Sequence, residues 1–241
     1  CISVKTFYFY AFSIQDKRQN MKKYILLLLI FYKPFPSLAH VAHHANLQNL
    51  NFDINRNGNY VGYHHIAFKW LEDGNLIVTN NIKFSLKKFG INFYKYESNG
   101  IEKYNSLGQL VAFDSKTSDN GKPKFCKIRL HSSKYKINGT NYNGFIEKPF
   151  RISSYWNHEI LAVSKQVSGV TCRVLDQKVK FIKREKLKIM NQLFDTAVYS
   201  IKGNKLNTLV WFDEKSKMIV HQVLQKKGKW DYKLKNYKLA K

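Results

Sequence analysis

The sequence predicts a mainly β protein, built as a strongly curved antiparallel meander or incomplete barrel with one short helix or irregular plug segment. The first observation is a period of two in hydrophobicity that recurs along residues 50–241. The second is a series of Asn-Gly and Asp-Gly turns between the alternating runs, since these dipeptides tolerate the positive φ of tight hairpins. The third is size, because a sheet of so many short strands must twist and usually curls.

The alternation is clearest in LIVTNNIKFSL, where Leu76, Val78 and Phe84 share one face and Thr79 and Lys83 share the other. This pattern is typical of a strand with one buried and one solvated face. Similar runs predict further strands, in chain order YVGYHHIAFKW, INFYKYES, KFCKIRL, GVTCRVL, VKFIK, TAVYSI, TLVWF, MIVHQVL and KWDYKL. The turn signals between them are Asn57-Gly58, Asp73-Gly74, Asn99-Gly100, Asn120-Gly121, Asn138-Gly139, Gly203-Asn204 and Lys227-Gly228.

The stretch RISSYWNHEILAVSKQVSG interrupts this alternation. Ser153 or Ser154 can cap a short helix over residues 155–165, because a serine hydroxyl accepts a hydrogen bond from the first turn. We expect this segment to plug or cover the open side of the curved sheet.

Residues 21–39 have the three parts of a secretory signal peptide. Lys22 and Lys23 form a positive start, an apolar run follows at 25–32, and Ser37-Leu38-Ala39 supplies small residues for cleavage. The apolar run is shorter than the roughly 18 residues that span a bilayer, so we expect no transmembrane segment after cleavage. The expected location is the periplasm or cell envelope of a Gram-negative bacterium.

Four segments follow from this interpretation. Residues 1–20 are expected to be spurious upstream translation, with a genuine N-terminal extension as the alternative. Residues 21–39 are the signal peptide, and residues 40–49 form a flexible N-terminus. Residues 50–241 form a single β domain, a size that one packed core can serve.

Cys126 and Cys172 are the cysteines that remain once the residues before 40 are removed. An oxidising compartment allows a disulfide between them to persist. Both lie in apolar alternation, Cys126 in step with Ile128 and Cys172 in step with Val174, so both side chains are expected to face the core. A disulfide and two buried thiols that never meet both stay open, because geometry decides whether the bond forms.

The chain carries 41 Lys and Arg residues against 16 Asp and Glu residues, a formal net charge of +25. Such a field favours anionic partners, either an anionic membrane face, a cell-wall polymer or an acidic ligand. We expect no nucleic-acid partner, because the sequence contains no recognisable nucleic-acid-binding motif. The alternative is a compositional bias, since Lys and Asn are abundant throughout and the charges are scattered as KK, KFIKREKLK and KKGKW.

The sequence shows no catalytic motif, so no catalytic residue, metal site or cofactor is predicted. It contains no G-x-S-x-G, no H-E-x-x-H and no glycine-rich phosphate loop. His64 and His65 are neighbours on a predicted strand and point to opposite faces, so they cannot hold one ion together. His40, His43 and His44 could chelate a metal only weakly from a flexible segment.

Aromatic residues give the candidate ligand pocket. In sheet proteins they are usually core, and here that interpretation stands beside a second one, in which some line a pocket inside the curved sheet. Trp156, on the irregular segment, is expected at the mouth of such a pocket. The candidate pocket residues are Trp156, Tyr155, Trp211, Trp70 and Tyr63.

Several runs resemble a family of exported proteobacterial proteins of unknown function. They are NFDINRNGNYVGYHHIAF, INFYKYES, RISSYWN with VSGV, and LVWFDEKSKMIVHQ, which together span most of residues 50–235. The resemblance implies a single antiparallel β domain behind a signal peptide, and it assigns no catalytic residue. More distantly, such curved sheets are similar to periplasmic lipoprotein carriers, which hold acyl chains against the concave face.

These observations favour an exported, non-enzymatic β-sheet protein that binds a lipid or other amphipathic anion in its concave sheet. The alternative is a structural or protein-interaction component of the cell envelope with a filled core, and the third is an unrecognised enzyme. A continuous internal cavity favours the first function, and a filled interior with an exposed apolar patch favours the second. A cleft that holds perturbed titratable groups favours the third. The oligomeric state is left open.

Overall fold

The structure is a computed structural model that describes His44 and residues 46–240. The expected upstream translation (1–20) and signal peptide (21–39) lie outside the described residues. The first strand begins at Leu47, so the end of the segment expected to be flexible is already paired in the sheet. Within the described part of the chain, no helix is long and apolar enough to cross a membrane.

Strands dominate the described chain, with a 3₁₀ helix at His158–Ala162. In chain order the strands are β1 (Leu47–Arg56), β2 (Asn59–Trp70), β3 (Leu76–Lys88), β4 (Ile91–Tyr104), β5 (Leu110–Asp119), β6 (Lys122–His131), β7 (Lys134–Gly139), β8 (Tyr142–Ile146), β9 (Arg151–Ile152), β10 (Lys165–Val167), β11 (Val174–Asp176), β12 (Lys178–Ile189), β13 (Gln192–Gly203), β14 (Leu206–Asp213), β15 (Ile219–Gln225) and β16 (Lys229–Leu239).

Thirteen of these strands form one antiparallel sheet in the order β12-β13-β14-β15-β16-β1-β2-β3-β4-β5-β6-β7-β8. The chain therefore enters the sheet in its middle, where β1 pairs with β16, and works outward to one edge at β8. It resumes at the opposite edge with β12. The sheet is curved and not closed into a barrel, which confirms the predicted fold class.

Residues 147–177 connect the two edges of the sheet, and we call them the crossover segment. They contain the 3₁₀ helix and a small sheet of β9, β10 and β11. Trp156 packs with buried residues of β1 to β4, Ile160 with β13 to β15, and Ile152 with β5 to β8. The crossover segment thus fills the inner face of the sheet, as the plug expected from the sequence.

The alternation of β3 sets the two faces of the sheet as predicted. Leu76 and Val78 are fully buried and Phe84 is nearly so, whereas Thr79 and Lys83 are exposed. Because strand side chains alternate in direction, the buried set defines the inner face against which the crossover segment packs.

Several expected local features were wrong. Asn138-Gly139 is not a turn but ends β7, where both residues pair with β8. Asn99-Gly100 is not a turn but lies inside β4, where a Cβ on Gly100 would stand 3.3 Å from the Phe113 ring. The lack of a side chain at Gly100 lets the Phe113 ring approach the strand. The 3₁₀ helix is shorter than the expected 155–165 and is capped by Asn157 rather than by a serine, because Tyr155 has a φ of +56° that a right-handed helix cannot include.

A disulfide joins the crossover segment to the sheet. Cys126 on β6 and Cys172 have their sulfur atoms 2.01 Å apart, and both residues are fully buried. Cys172 lies in the turn between β10 and β11 with a φ of +59°, so its predicted place in a strand was wrong. Gly139 gives the bond room, since a Cβ there would stand 2.4 Å from the Cβ of Cys172.

We expect the double substitution Cys126→Ser with Cys172→Ser to lower the free energy of unfolding by about 3 to 4 kcal/mol. The bond closes a loop with a sequence separation of 46 residues, and opening it returns that entropy to the unfolded chain. Urea unfolding followed by tryptophan fluorescence measures the change. A reducing agent should lower the wild type to the level of the double variant and leave the variant unaffected. Equal stability of the two proteins under oxidising conditions would contradict the bond.

Candidate functional site

A chain of hydrogen bonds crosses the buried interface between the sheet and the crossover segment, and we call it the buried polar chain. Its members are His64 on β2, Asn80 on β3, Glu102 and Tyr104 on β4, and Trp156 of the crossover segment. All five residues are buried. Burial of polar groups costs free energy unless they are hydrogen-bonded, so the fold depends on the hydrogen bonds of the buried polar chain.

Glu102 is the centre of the chain and accepts from three neighbours. The indole N–H of Trp156 donates to both carboxylate oxygens at 3.1 Å, and the Asn80 amide donates to one of them at 2.9 Å. The Tyr104 hydroxyl donates to the other oxygen. Burial raises the pKa of Glu102, and the donors oppose that rise without cancelling it.

His64 ends the chain, and its neighbours fix which ring nitrogen carries the proton. Asn80 uses its amide N–H on Glu102, so its carbonyl oxygen faces His64 Nε2 at 3.2 Å as an acceptor. Nε2 must therefore be the protonated nitrogen of a neutral ring. Burial, which penalises the imidazolium, lowers the pKa of His64 to about 4.

Two small cavities lie beside the chain, and His64 and Ser154 border both of them. The larger is about 40 Å³ and is also lined by Ile82, Phe113 and Ile152. The smaller is about 10 Å³. A cavity of about 10 to 15 Å³ holds one water molecule, and about 150 Å³ admits benzene. These spaces suit a few water molecules and have no room for an acyl chain.

Tyr155 and Trp156 meet the interior in different ways. Tyr155 lines the smaller cavity, and burial raises its pKa. Trp156 is fully buried in the main core cluster, so the structure does not place it at a mouth. Its ring meets the Phe68 and Tyr104 rings edge to face, and its N–H holds Glu102.

The other candidate pocket residues lie apart from the cavities. Trp211 donates its indole N–H to Glu185 at 2.6 Å and packs against the main core cluster, as does Trp70. Tyr63 stacks on His65 with ring centroids 4.2 Å apart, on the face of β2 opposite to that of His64. The structure therefore brings Tyr155 and Trp156 together but leaves the predicted five without a common pocket.

The histidines of the described part of the chain are not grouped with other side chains that could hold a metal ion. His64 is buried and His65 is exposed, as expected of neighbours on a strand. Among His44 and residues 46–240, no group of three or more His, Cys, Asp or Glu side chains is arranged to hold an ion. His40 and His43, which were expected to chelate weakly, lie outside that part of the chain.

Sequence reasoning missed Glu102 and His64, although strand parity could have found them. Glu102 alternates with Ser98, Gly100 and Tyr104 on the inner face of β4, where a carboxylate is out of place. His64 stands in step with Ile66 on the inner face of β2. A polar residue at an inward position is the signal, because such residues are buried only when paired.

An exposed apolar group was also missed, at the turn between β3 and β4. Residues 87–93, which we call the tip, are all exposed. Phe89 is 92% exposed, Ile91 72% and Phe93 55%. Single exposed apolar residues are ordinary, but three in one hairpin form a patch that calls for a function.

We expect stability to depend on pH through His64. Because its folded pKa is about 4 and its ordinary value is 6.5, the unfolded chain takes up a proton that the folded chain refuses. This contribution is complete above pH 6.5 and is lost as the pH falls towards 4. The wild type should lose about 2 kcal/mol of its free energy of unfolding relative to His64→Gln between about pH 7 and pH 5.

His65→Gln is the matched control, since it makes the same change on the exposed face one residue away. Urea unfolding at both pH values gives the comparison. The assignment of the pH dependence to His64 is contradicted if the His64→Gln protein shows the wild-type pH dependence, or if the His65→Gln protein loses it.

Comparison with solved structures finds two that are similar to this chain. A crystal structure of a β-barrel-like protein of domain of unknown function DUF1849 from Brucella abortus aligns with a TM-score of 0.59 and 9% identity, covering 81% of this chain and 98% of that one. A crystal structure of MucB aligns with a TM-score of 0.34 and 10% identity over 82% of this chain and 55% of that one.

A search of the curated proteins finds no match. The family described as domain of unknown function DUF6134 matches residues 52–235, from the first strand of the sheet to its last. The expected membership in a family of unknown function is thereby confirmed, and the chain belongs to the DUF6134 family.

Proposed function

We propose that this protein is an exported, non-enzymatic component of the cell envelope that acts by contact through its outer surface. The observation that carries the proposal is the filled inner face of the sheet. The crossover segment, residues 147–177, occupies the concave side, where a carried ligand would otherwise lie. An exposed apolar patch at the tip accompanies this filled interior.

Two buried connections help to hold the crossover segment in that place. Trp156 is hydrogen-bonded to Glu102 near the middle of the sheet, and Cys172 is bonded to Cys126 on β6. Releasing the segment would break the hydrogen bonds between Trp156 and Glu102 and would expose buried apolar side chains such as Ile152 and Ile160 to water, which is unfavourable. The filled state is therefore strongly favoured over an open one.

Export is supported by two independent features. Residues 21–39 have the composition of a secretory signal peptide. The Cys126–Cys172 disulfide suits an oxidising compartment, because cytosolic reductants keep most thiols reduced.

We propose no enzymatic role because a substrate has no access to the buried titratable groups. His64 and Glu102 have shifted pKa values, which is common in active sites. Here burial is the largest cause of both shifts, and the cavities that His64 borders, about 40 and 10 Å³, have no space for a substrate. Glu102 serves to attach the crossover segment, and His64 is joined to Glu102 through Asn80.

A carried lipid is the second candidate function. The larger cavity favours it, because this cavity lies between the crossover segment and the sheet and has Ile82, Phe113 and Ile152 on its walls. Displacing the crossover segment would widen this space into a groove with apolar walls.

Native mass spectrometry separates the two candidates. The protein is produced with residues 21–39 in place and purified from the envelope fraction without detergent exchange of bound lipid. We expect a chain that begins at His40, is two hydrogens lighter than the dithiol form, and carries no lipid-sized adduct. A releasable adduct at one per chain would favour the carrier instead, and an uncleaved chain would contradict export.

A further inference from the structure

We propose that one end of the sheet docks on an anionic phospholipid bilayer, with the tip, residues 87–93, entering the interface between headgroups and acyl chains. This inference rests on the proposed function, since it names the partner of the outer surface. Four properties of this end carry it: a two-stranded ribbon without neighbouring strands, exposed apolar side chains, a lysine border and a charge difference from the opposite end.

The tip is a two-stranded ribbon that is not paired with the strands on either side of it. The pairing of β2 with β3 ends at Gly62 and Phe84, and the pairing of β4 with β5 ends at Tyr96 and Asp119. Beyond Phe84, the last residues of β3 pair with the first residues of β4 alone in the described sheet. At about 3.3 Å per residue, the two-stranded ribbon runs roughly 13 Å beyond its last pairings with β2 and β5.

The apex of the ribbon carries its most exposed apolar side chain. Phe89 and Gly90 have φ values of +52° and +78°, the left-handed conformation of a tight hairpin turn. This conformation is uncommon for a bulky residue such as Phe89, and it leaves the ring 92% exposed. Ile91 and Phe93, the next apolar residues after the turn, are also exposed.

Lysines border the apolar apex without acidic neighbours. Lys87 and Lys88 precede Phe89, and Lys95 follows Phe93. Residues 85–96 contain no Asp or Glu. Apolar side chains flanked by lysines match a bilayer interface, where the rings meet the acyl boundary and the ammonium groups meet the phosphates.

The turns at the two ends of the sheet differ in charge. Antiparallel order places the turns after β1, β3, β5, β7, β13 and β15 at the end that bears the tip, and those after β2, β4, β6, β12 and β14 at the other. With their flanking strand ends, the turns of the tip end hold the basic residues Arg56, Lys88, Lys122, Lys205, Lys226, Lys227 and Lys229.

Asp119 is the one acidic residue in those turns, all of which the structure describes, and its carboxylate is paired with Lys124. The turns of the opposite end hold the acidic residues Glu72, Asp73, Asp213 and Glu214 with the basic residues Lys134, Lys215 and Lys217. The positive charge of the chain is thus directed towards the tip, which orients the molecule in the field of an anionic surface.

A bilayer fits the tip better than a protein groove does. Residues 87–93 are exposed on both faces of the ribbon. A groove on a protein would bury one face and leave the other in water, whereas an interface of lipid headgroups surrounds an inserted ribbon on all sides. Membrane anchoring also needs two signals to be stable, and apolar insertion together with a polybasic border supplies both.

Vesicle co-sedimentation tests the charge part of the proposal. We expect the protein to bind phosphatidylglycerol vesicles and to bind phosphatidylcholine vesicles weakly. The double variant Lys87→Glu with Lys88→Glu should bind the anionic vesicles at least about tenfold more weakly, since each lysine near the surface contributes about fivefold. Lys69→Glu with Lys103→Glu is the matched control, because it makes the same charge change at exposed strand positions near the other end and should retain binding.

The apolar part has its own matched pair. Ile91→Ser should weaken binding to anionic vesicles by about tenfold, because an isoleucine that leaves water on docking is replaced by a serine that does not. Leu107→Ser removes a side chain of similar exposure, 76% against 72% for Ile91, from a turn at the opposite end. It should bind as the wild type does.

A depth measurement locates the inserted residue independently of the total amount bound. In Ile91→Trp, brominated phosphatidylglycerol should quench fluorescence beyond the wild-type level, whereas in Leu107→Trp it should not. The native tryptophans give both variants the same background. Every variant carries the same residues before position 44, so a contribution of that segment to vesicle binding cancels.

Two outcomes overturn the inference. One is equal binding by tip and control variants with no added quenching at position 91, which would leave a net-charge effect or no docking at all. The other is loss of binding in the Lys69 and Lys103 variant to the same degree as in the tip variant. Either result leaves the filled interior and the adduct-free mass of the proposed function intact, so the two failures are distinguishable.

Discussion

The connection from β8 to β12 is the constraint on which the rest of this structure depends. The chain enters the sheet at its centre with β1, reaches one edge at β8, and must continue at the opposite edge. The route it takes, residues 147–177, crosses the inner face and packs with residues of nearly every strand it passes. The filled interior is thus a consequence of strand order, and the polar and covalent attachments of the crossover segment are consequences of that filling.

The attachments differ in kind, and the polar one links stability to pH in two opposite directions. Burial lowers the pKa of His64, so the folded protein loses stability as the pH falls from 6.5 towards 4. Burial raises the pKa of Glu102, so the folded carboxyl keeps its proton in a range where the unfolded one has lost it, and stability falls as the pH rises through that range. Asn80 joins the two groups. Cys126 and Cys172 hold the same segment without a pH term, at a site that depends instead on redox conditions.

The sequence predicted what depends on local periodicity and missed what depends on strand order. Alternation correctly assigned the faces of β3, since each residue's direction is set by its neighbours in the chain. Asn99-Gly100 was misread because its turn propensity is outweighed by packing against Phe113, which is distant in sequence. Glu102, His64 and their common partner Asn80 were each visible as polar residues at inward positions, but their contact was not, because it depends on the pairing of β2, β3 and β4. In the sequence, the lysines of the tip and of the β15–β16 turn were interpreted as scattered charge. The strand order places their turns at one end of the sheet.

A ribbon of only two strands has marginal stability by itself, so the base of the tip needs support if its apex is to stay extended. That support is aromatic. The Phe84 ring lies 4.7 Å from Tyr96 and 4.9 Å from Trp230, with Tyr94 at 6.0 Å. These rings clamp the ribbon where β2 and β5 stop pairing with it, and the Tyr94 hydroxyl is further held by Asp119. These contacts use the apolar side chains at the base of the ribbon, whereas Phe89, Ile91 and Phe93 near its apex stay exposed. In this position Phe89 and Ile91 are in contact with water, and their transfer into an apolar phase lowers the free energy.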